Sequence, residues 1–239
     1  MKFLVTISAL FMLGGSAGYL CELIYRRIVH GKWINPGFLS GPCLPLYGSG
    51  VLLLYGCSSL DLSFLSSPAA QDAVRIVFLA ILLTALEYVT GIVFTTVYHV
   101  KLWDYSKRPG NIQGVICPLF SLIWAAAGAG YVLLLHPHLV RFVRWLVDNP
   151  FYGYFCGMYA GVFLVDVCYS FNVVKKLKAF AEERQLQIRY ENLKLSIAKN
   201  ARKRSFLFAF RTPSDLREEL ERYRETLRES IESKRRSRK

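Results

Sequence analysis

The sequence predicts an all-α polytopic membrane protein with about five transmembrane helices and a basic helical tail. Three observations predict it. Long runs are almost free of charge while the end of the chain is charge-dense; several of these runs reach the length a bilayer demands; and two of them share an unusual pattern of residues. A hydrocarbon core about 30 Å thick takes about 20 apolar helical residues to cross. The 239-residue chain is 53% hydrophobic and carries a formal charge of +13, and a soluble domain does not segregate its residues this way.

Five spans are expected in order, at about 3–25, 38–57, 74–98, 115–135 and 151–174. Together they make a membrane domain over 1–174, with a cytoplasmic tail over 175–239. From Lys175 onward about 20 Lys and Arg face about 10 Asp and Glu, so about +10 of the formal +13 belongs to the tail. Basic residues close to a membrane helix are drawn to anionic lipid head groups, which become an expected partner beside the bilayer itself. Nucleic acid is not an expected partner, because the tail lacks aromatic platforms and recognition motifs.

Loop charges set the expected orientation. Arg26, Arg27 and Lys32 follow the first span, and Lys101, Lys107 and Arg108 follow the third. The stretch 58–72 has no Lys or Arg, so the first two loops are placed in the cytoplasm and this one outside. A fourth loop, His136–Pro150, carries Arg141 and Arg144 and votes against that assignment. Five spans with a cytoplasmic tail then put the N-terminus outside. Lys2, the apolar run and Ser16-Ala17-Gly18 loosely mimic a cleaved signal. The repeat described next includes Glu22, which argues for a retained first span.

The first span and its loop read CELIYRRIVHGKWINPGFLSGPCLPLYGSG, and the third reads LEYVTGIVFTTVYHVKLWDYSKRPGNIQGVICPLFSLIW. Glu22 aligns with Glu87, His30 with His99, Lys32 with Lys101, Trp33 with Trp103, Gly41 with Gly114, and Pro45-Leu-Tyr with Pro118-Leu-Phe. The second copy is about eight residues longer between Glu and Pro, as a duplicated hairpin that drifted would be. Repeat one covers about 3–57 and repeat two about 74–135. Both hairpins run in the same direction, as in parallel transporter repeats.

Three acids lie within or at the edge of spans: Glu22, Glu87 and Asp166. Each charge costs at least about 2.5 kcal/mol there, so it must face protein or water. If the three converge they can hold a cation, a proton or a cationic substrate; otherwise each is a structural acceptor for Tyr, Ser or Trp. The loops hold His30, Lys32, Trp33, His99, Trp103, Asp104, Tyr105 and Arg108, which read as interface anchors or as a dock for a cytoplasmic partner. Pro42, Pro45 and Pro118 sit where spans two and four begin, and kinked packing is the simpler expectation over a broken or re-entrant entry. Gly153, Gly157 and Gly161 recur every fourth residue and predict a flat face for close helix packing, within the chain or in an oligomer.

The six cysteines form no CxxC pair and read as small packing residues. No metal or other cofactor is expected. In the tail, Thr212-Pro213-Ser214-Asp215 offers a helix start, and Leu216, Leu220, Tyr223, Leu227 and Ile231 make one apolar stripe. Neither HExxH nor another catalytic signature is present. The chain is therefore read as non-enzymatic.

At GPCLPLYGSG, LEYVTG, WDYSKRPGNIQGVICPLFSLIW and Asp166, the chain resembles the family called putative ABC transporter permease, type IV or CmpB-like. The resemblance covers roughly the first 175 residues. It implies a transport subunit in the bacterial cytoplasmic (inner) membrane, paired with a separate ATPase. The chain has no GxxxxGK[ST] phosphate-binding loop, in keeping with that division of labour. The other expected function is a non-transporting scaffold or sensor that recruits a partner through its loops and tail.

Overall fold

The computed structural model describes residues 2–31, 33–149, 151–183, 187–190, 192–194, 220–226 and 229. Lys32, Leu216, Leu227, Ile231 and the proposed helix start at Thr212 lie outside the described residues, as does the side chain of His30. Among the described residues the fold is mostly helical. The helices are α1 (Lys2–His30), α2 (Pro45–Ser58), α3 (Pro68–Thr96), α4 (Pro118–Gly130), α5 (His136–Asp148) and α6 (Phe151–Glu183). Two short strands, β1 (Val100–Lys101) and β2 (Ile188–Arg189), pair in parallel.

Among the described residues four helical stretches are long and apolar enough to cross a membrane: Lys2–Val29, Pro68–Thr96, Pro118–Asp148 and Phe151–Glu183. The second expected span is different. Its helix begins only at Pro45 and has 14 residues, about 21 Å at the usual rise. Residues 33–44 before it are not helical. The prolines explain where the helices start rather than where they bend. Pro45 and Pro118 open α2 and α4, where the missing N–H costs nothing, and Pro42 lies outside any helix. The expected kinks at these entries are not formed.

The expected loop at His136–Pro150 is also corrected, because residues 136–148 are helical and continue α4 through a π-helical turn, Tyr131–Leu135. Pro137 cannot donate to the carbonyl four residues back and its ring crowds that turn, so the ladder widens there. In α5, Val143 and Leu146 are buried while Arg141 and Arg144 are exposed. These arginines belong to the polar face of an amphipathic helix.

Helices α1 and α2 touch through glycine. A Cβ on Gly18 would stand 2.3 Å from the Tyr47 ring, and one on Gly48 would stand 2.8 Å from the Phe11 carbonyl oxygen. The close approach lets Leu44 N–H reach Gly15 O at 3.0 Å. The Gly14-to-Gly18 stretch, which in sequence loosely resembles a cleavage site, is this helix seam. Along α3 the buried residues are Leu79, Leu83, Glu87, Gly91 and Phe94. This single stripe carries Glu87 into the protein interior.

The exposed side of α6 matches a lipid environment. Tyr154, Met158, Val162 and Val165 are open, whereas burial concentrates toward its far end, at Ser170, Val173, Val174, Leu177 and Phe180. That end joins a hydrophobic cluster with Val100, Ile188, Tyr190, Leu193, Leu220 and Tyr223. Both hairpin connections and the chain after α6 therefore meet at one end of the bundle, the end that carries Arg26, Arg27, Lys107 and Arg108. At the opposite end Lys2 pairs with Asp148 at 4.0 Å.

Among the described residues nothing packs closely on the expected glycine face of α6. A Cβ on Gly153 would make only an ordinary contact with Val5, and Gly157 and Gly161 would meet nothing within 4 Å. Alternation of small residues makes a face flat, but the neighbours of α6 lie on its other sides.

Candidate functional site: two acids on one aromatic cluster

Glu87 is 3% exposed although it sits in the middle of an apolar helix. Both carboxylate oxygens are satisfied by neutral donors. Tyr105 Oη–H donates to Oε1 at 3.1 Å, and Trp124 Nε1–H donates to Oε2 at 3.0 Å. Tyr105 is held by its ring, which stacks on Phe120 with centroids 4.4 Å apart and planes 10° apart. Burial, followed by the nearby Glu87 charge, pushes the Tyr105 phenol well above its ordinary range, so it stays a proton donor at every physiological pH.

Glu22 finds its partners within the first hairpin. Tyr47 Oη–H donates to it at 2.9 Å, and Arg26, one turn along α1, pairs with it at 3.8 Å. The two acids are not separate sites. The Tyr47 and Trp124 rings lie 5.6 Å apart, and Tyr47 stands within electrostatic reach of both Glu22 and Glu87. A continuous path thus runs from Glu22 through Tyr47 and Trp124 to Glu87 and Tyr105. Phenol and indole donors of this kind hold a carboxylate without neutralising it, and their ring faces attract cations.

Asp166 has another set of partners. It accepts Ser40 N–H at 3.0 Å, Gly41 N–H at 2.8 Å and the Ser170 hydroxyl at 3.1 Å. These bonds fasten the non-helical stretch before α2 to α6. A Cβ at position 41 would lie 2.9 Å from Asp166 Oδ2, so a side chain there would push the carboxylate away from these donors. The free backbone donors of a broken entry are exposed to this acid in place of water.

The loop residues divide into inward and outward groups. Trp103 Nε1–H donates to Val115 O at 2.7 Å, and Tyr105 serves Glu87. Asp104 accepts from Ser106 and pairs with Arg189 at 3.0 Å and Lys101 at 3.8 Å. Burial alone would raise its carboxyl, but the Ser106 bonds, Arg189 and Lys101 together hold it below the ordinary range. These three are internal supports, unlike the interface anchors expected from composition. Trp33 is exposed, with the Arg27 guanidinium 5.6 Å above its ring, and Arg108 is exposed too. His99 is half-buried, pairs with Glu182 at 3.7 Å and has a φ of 54°.

Sequence reading missed Tyr47 and Trp124 as partners of the acids, although both stand in the aligned motifs. It also missed Ser170, whose spacing of four from Asp166 on one helix was readable, and Lys194, which no local pattern marks.

The architecture defines a multi-pass helical membrane protein. The chain belongs to the family described as Putative ABC-transporter type IV, whose model matches residues 9–171. No curated protein and no solved structure matches it. The family match spans α1 to most of α6 and includes Glu22, Glu87 and Asp166.

Proposed function

We propose that the chain is a permease-like membrane subunit of an ABC-type transporter, working with a separate cytoplasmic ATPase and performing no catalysis of its own. The family supports the transporter relation. The observation that carries the permease reading is the joining of Glu22 and Glu87, at aligned places in the two hairpins, through one aromatic cluster. Two carboxylates in an apolar bundle are costly to keep, and a transport path between the hairpins gives both a use. In this reading the hairpins are parallel repeats and α2, with the chain before it, is an incomplete fifth crossing. The basic end faces the cytoplasm of a bacterial cell, against anionic lipid, and the N-terminus faces outward.

Affinity purification of the tagged full chain from its native membranes tests the proposal. An ATPase carrying a phosphate-binding loop should co-purify in stoichiometric amount; a chain that purifies alone, without ATP hydrolysis, overturns the ABC reading. The double variant Glu22→Gln/Glu87→Gln should keep the ATPase bound and abolish the transport phenotype. Full transport by that variant removes the acids from the path. Truncation after Thr212 separates this reading from a scaffold or sensor, since a permease retains function without those residues and a tail-recruiting scaffold does not.

A further inference from the structure

The two hairpin connections, residues 33–44 and 97–117, are both gripped by one short stretch that follows α6. Ile188 N–H donates to His99 O at 3.0 Å, and β2 lies parallel to β1 with Val100 opposite Ile188 and Lys101 opposite Arg189. The Arg189 guanidinium reaches Asp104 at 3.0 Å. A few residues later the Lys194 ammonium donates to Asn35 O at 2.9 Å and also to Gly37 O. The Tyr190 hydroxyl points to Phe38 O at 3.5 Å. Ile188 and Arg189 therefore hold the second connection, and Tyr190 and Lys194 hold the first.

The contacts are built into the interior rather than laid on the surface. Ile188, Tyr190 and Leu193 are buried with Val100, Leu177 and Phe180. Lys194 is 8% exposed, its charge met by two carbonyl oxygens and by the Tyr190 ring at 4.7 Å. A buried ammonium is expensive unless such partners are fixed in place. His99, whose carbonyl anchors the stretch, adopts a left-handed backbone that is uncommon in a non-glycine residue. The family match ends at residue 171, before the stretch begins.

We infer that the stretch carrying Ile188 and Lys194 is an internal strap that couples the two hairpin connections, so that displacement of one is transmitted to the other. The surface offered at this end is then the strapped platform. The bare loops are already occupied by the chain itself.

Hydrogen exchange read by mass spectrometry on the purified full chain in detergent tests the inference with two variants. Lys194→Met cuts the tie to the first connection and Arg189→Ala cuts the tie to the second. Each should speed exchange about tenfold in both peptide regions, 37–43 and 105–114, which corresponds to about 1.4 kcal/mol of lost local protection. Acceleration confined to the connection whose own tie was cut would overturn the strap, leaving two independent anchors. Unchanged exchange in both variants would show that the stretch does not hold the connections, and would also overturn it. Should Lys194→Met not yield monodisperse protein, Arg189→Ala decides alone, because its side chain is half-exposed. Acceleration at 37–43 then supports coupling and its absence refutes it.

Discussion

Glu22 and Glu87 hold aligned places in the two hairpins, yet their surroundings differ in kind. Glu22 is partly exposed and shares its charge with Arg26, while Glu87 is buried and depends on Tyr105 and Trp124. In the first hairpin one residue, Tyr47, supplies both a ring and a hydroxyl. In the second the aligned residue is Phe120, which has no hydroxyl, and the missing donor comes from Tyr105 stacked on its face. The longer second connection supplies that tyrosine. Two hairpins can thus keep an acid satisfied by different residues, provided a donor reaches the carboxylate.

The hairpins also differ in how they close, and the largest expected effect breaks that difference. Gly48→Leu drives a side chain into the backbone of α1 and should lower stability by about 3 kcal/mol, measured by thermal unfolding in detergent. In the second hairpin Gly91 approaches the connection instead, where a Cβ would stand 2.2 Å from the Val115 side chain and not against helix backbone. Next, Trp124→Phe strands one oxygen of a buried carboxylate and should cost about 2 kcal/mol. Tyr47→Phe removes a donor from an acid that keeps water and Arg26, and should cost about 1 kcal/mol or less. Equal losses in the two variants would erase the distinction between a dry acid and a wet one.

A smaller effect lies outside the membrane, at Asp104. Its carboxyl is held below the ordinary range in the folded chain, so its contribution is complete above the unfolded value, about 3.9, and is lost as pH falls through the folded value. Exchange protection at 105–114 should therefore decline on acidification below about pH 4, whereas Asp104→Asn should flatten that dependence. The smallest effect belongs to α6. Gly157→Ala meets open space and should change unfolding by less than about 0.5 kcal/mol. A clear loss in a cross-linked or oligomeric fraction would instead show that the glycine face packs against a second copy.

Much of the fold was legible because apolar transfer is a local, additive property. Runs in α1, α3 and α6 announce themselves by length and absence of charge. The same reading overextended the second span, since Phe38, Leu39 and Leu44 are apolar enough to belong to a helix. Hydropathy does not register that Pro42 has no N–H to give a helix, or that the backbone donors of Ser40 and Gly41 are committed to Asp166. It also read Arg141 and Arg144 as loop charges, although Leu139, Val143 and Leu146 already carried helical spacing. In the site, the acids themselves were visible as costly residues in the wrong solvent. Their partners were not, because Tyr47 lies 25 positions from Glu22 and Trp124 lies 37 positions from Glu87.

By itself the sequence determined that lipid is the solvent for most of this chain, that three acids must find shelter within it, and that positive charge gathers toward one end. Each follows from the transfer energy of residues taken one at a time. Only the tertiary structure decided which donors meet the acids, that α2 is short, and that the chain after α6 crosses both hairpin connections. Hydrogen bonds and close packing depend on distances between residues remote in sequence, which folding alone brings together.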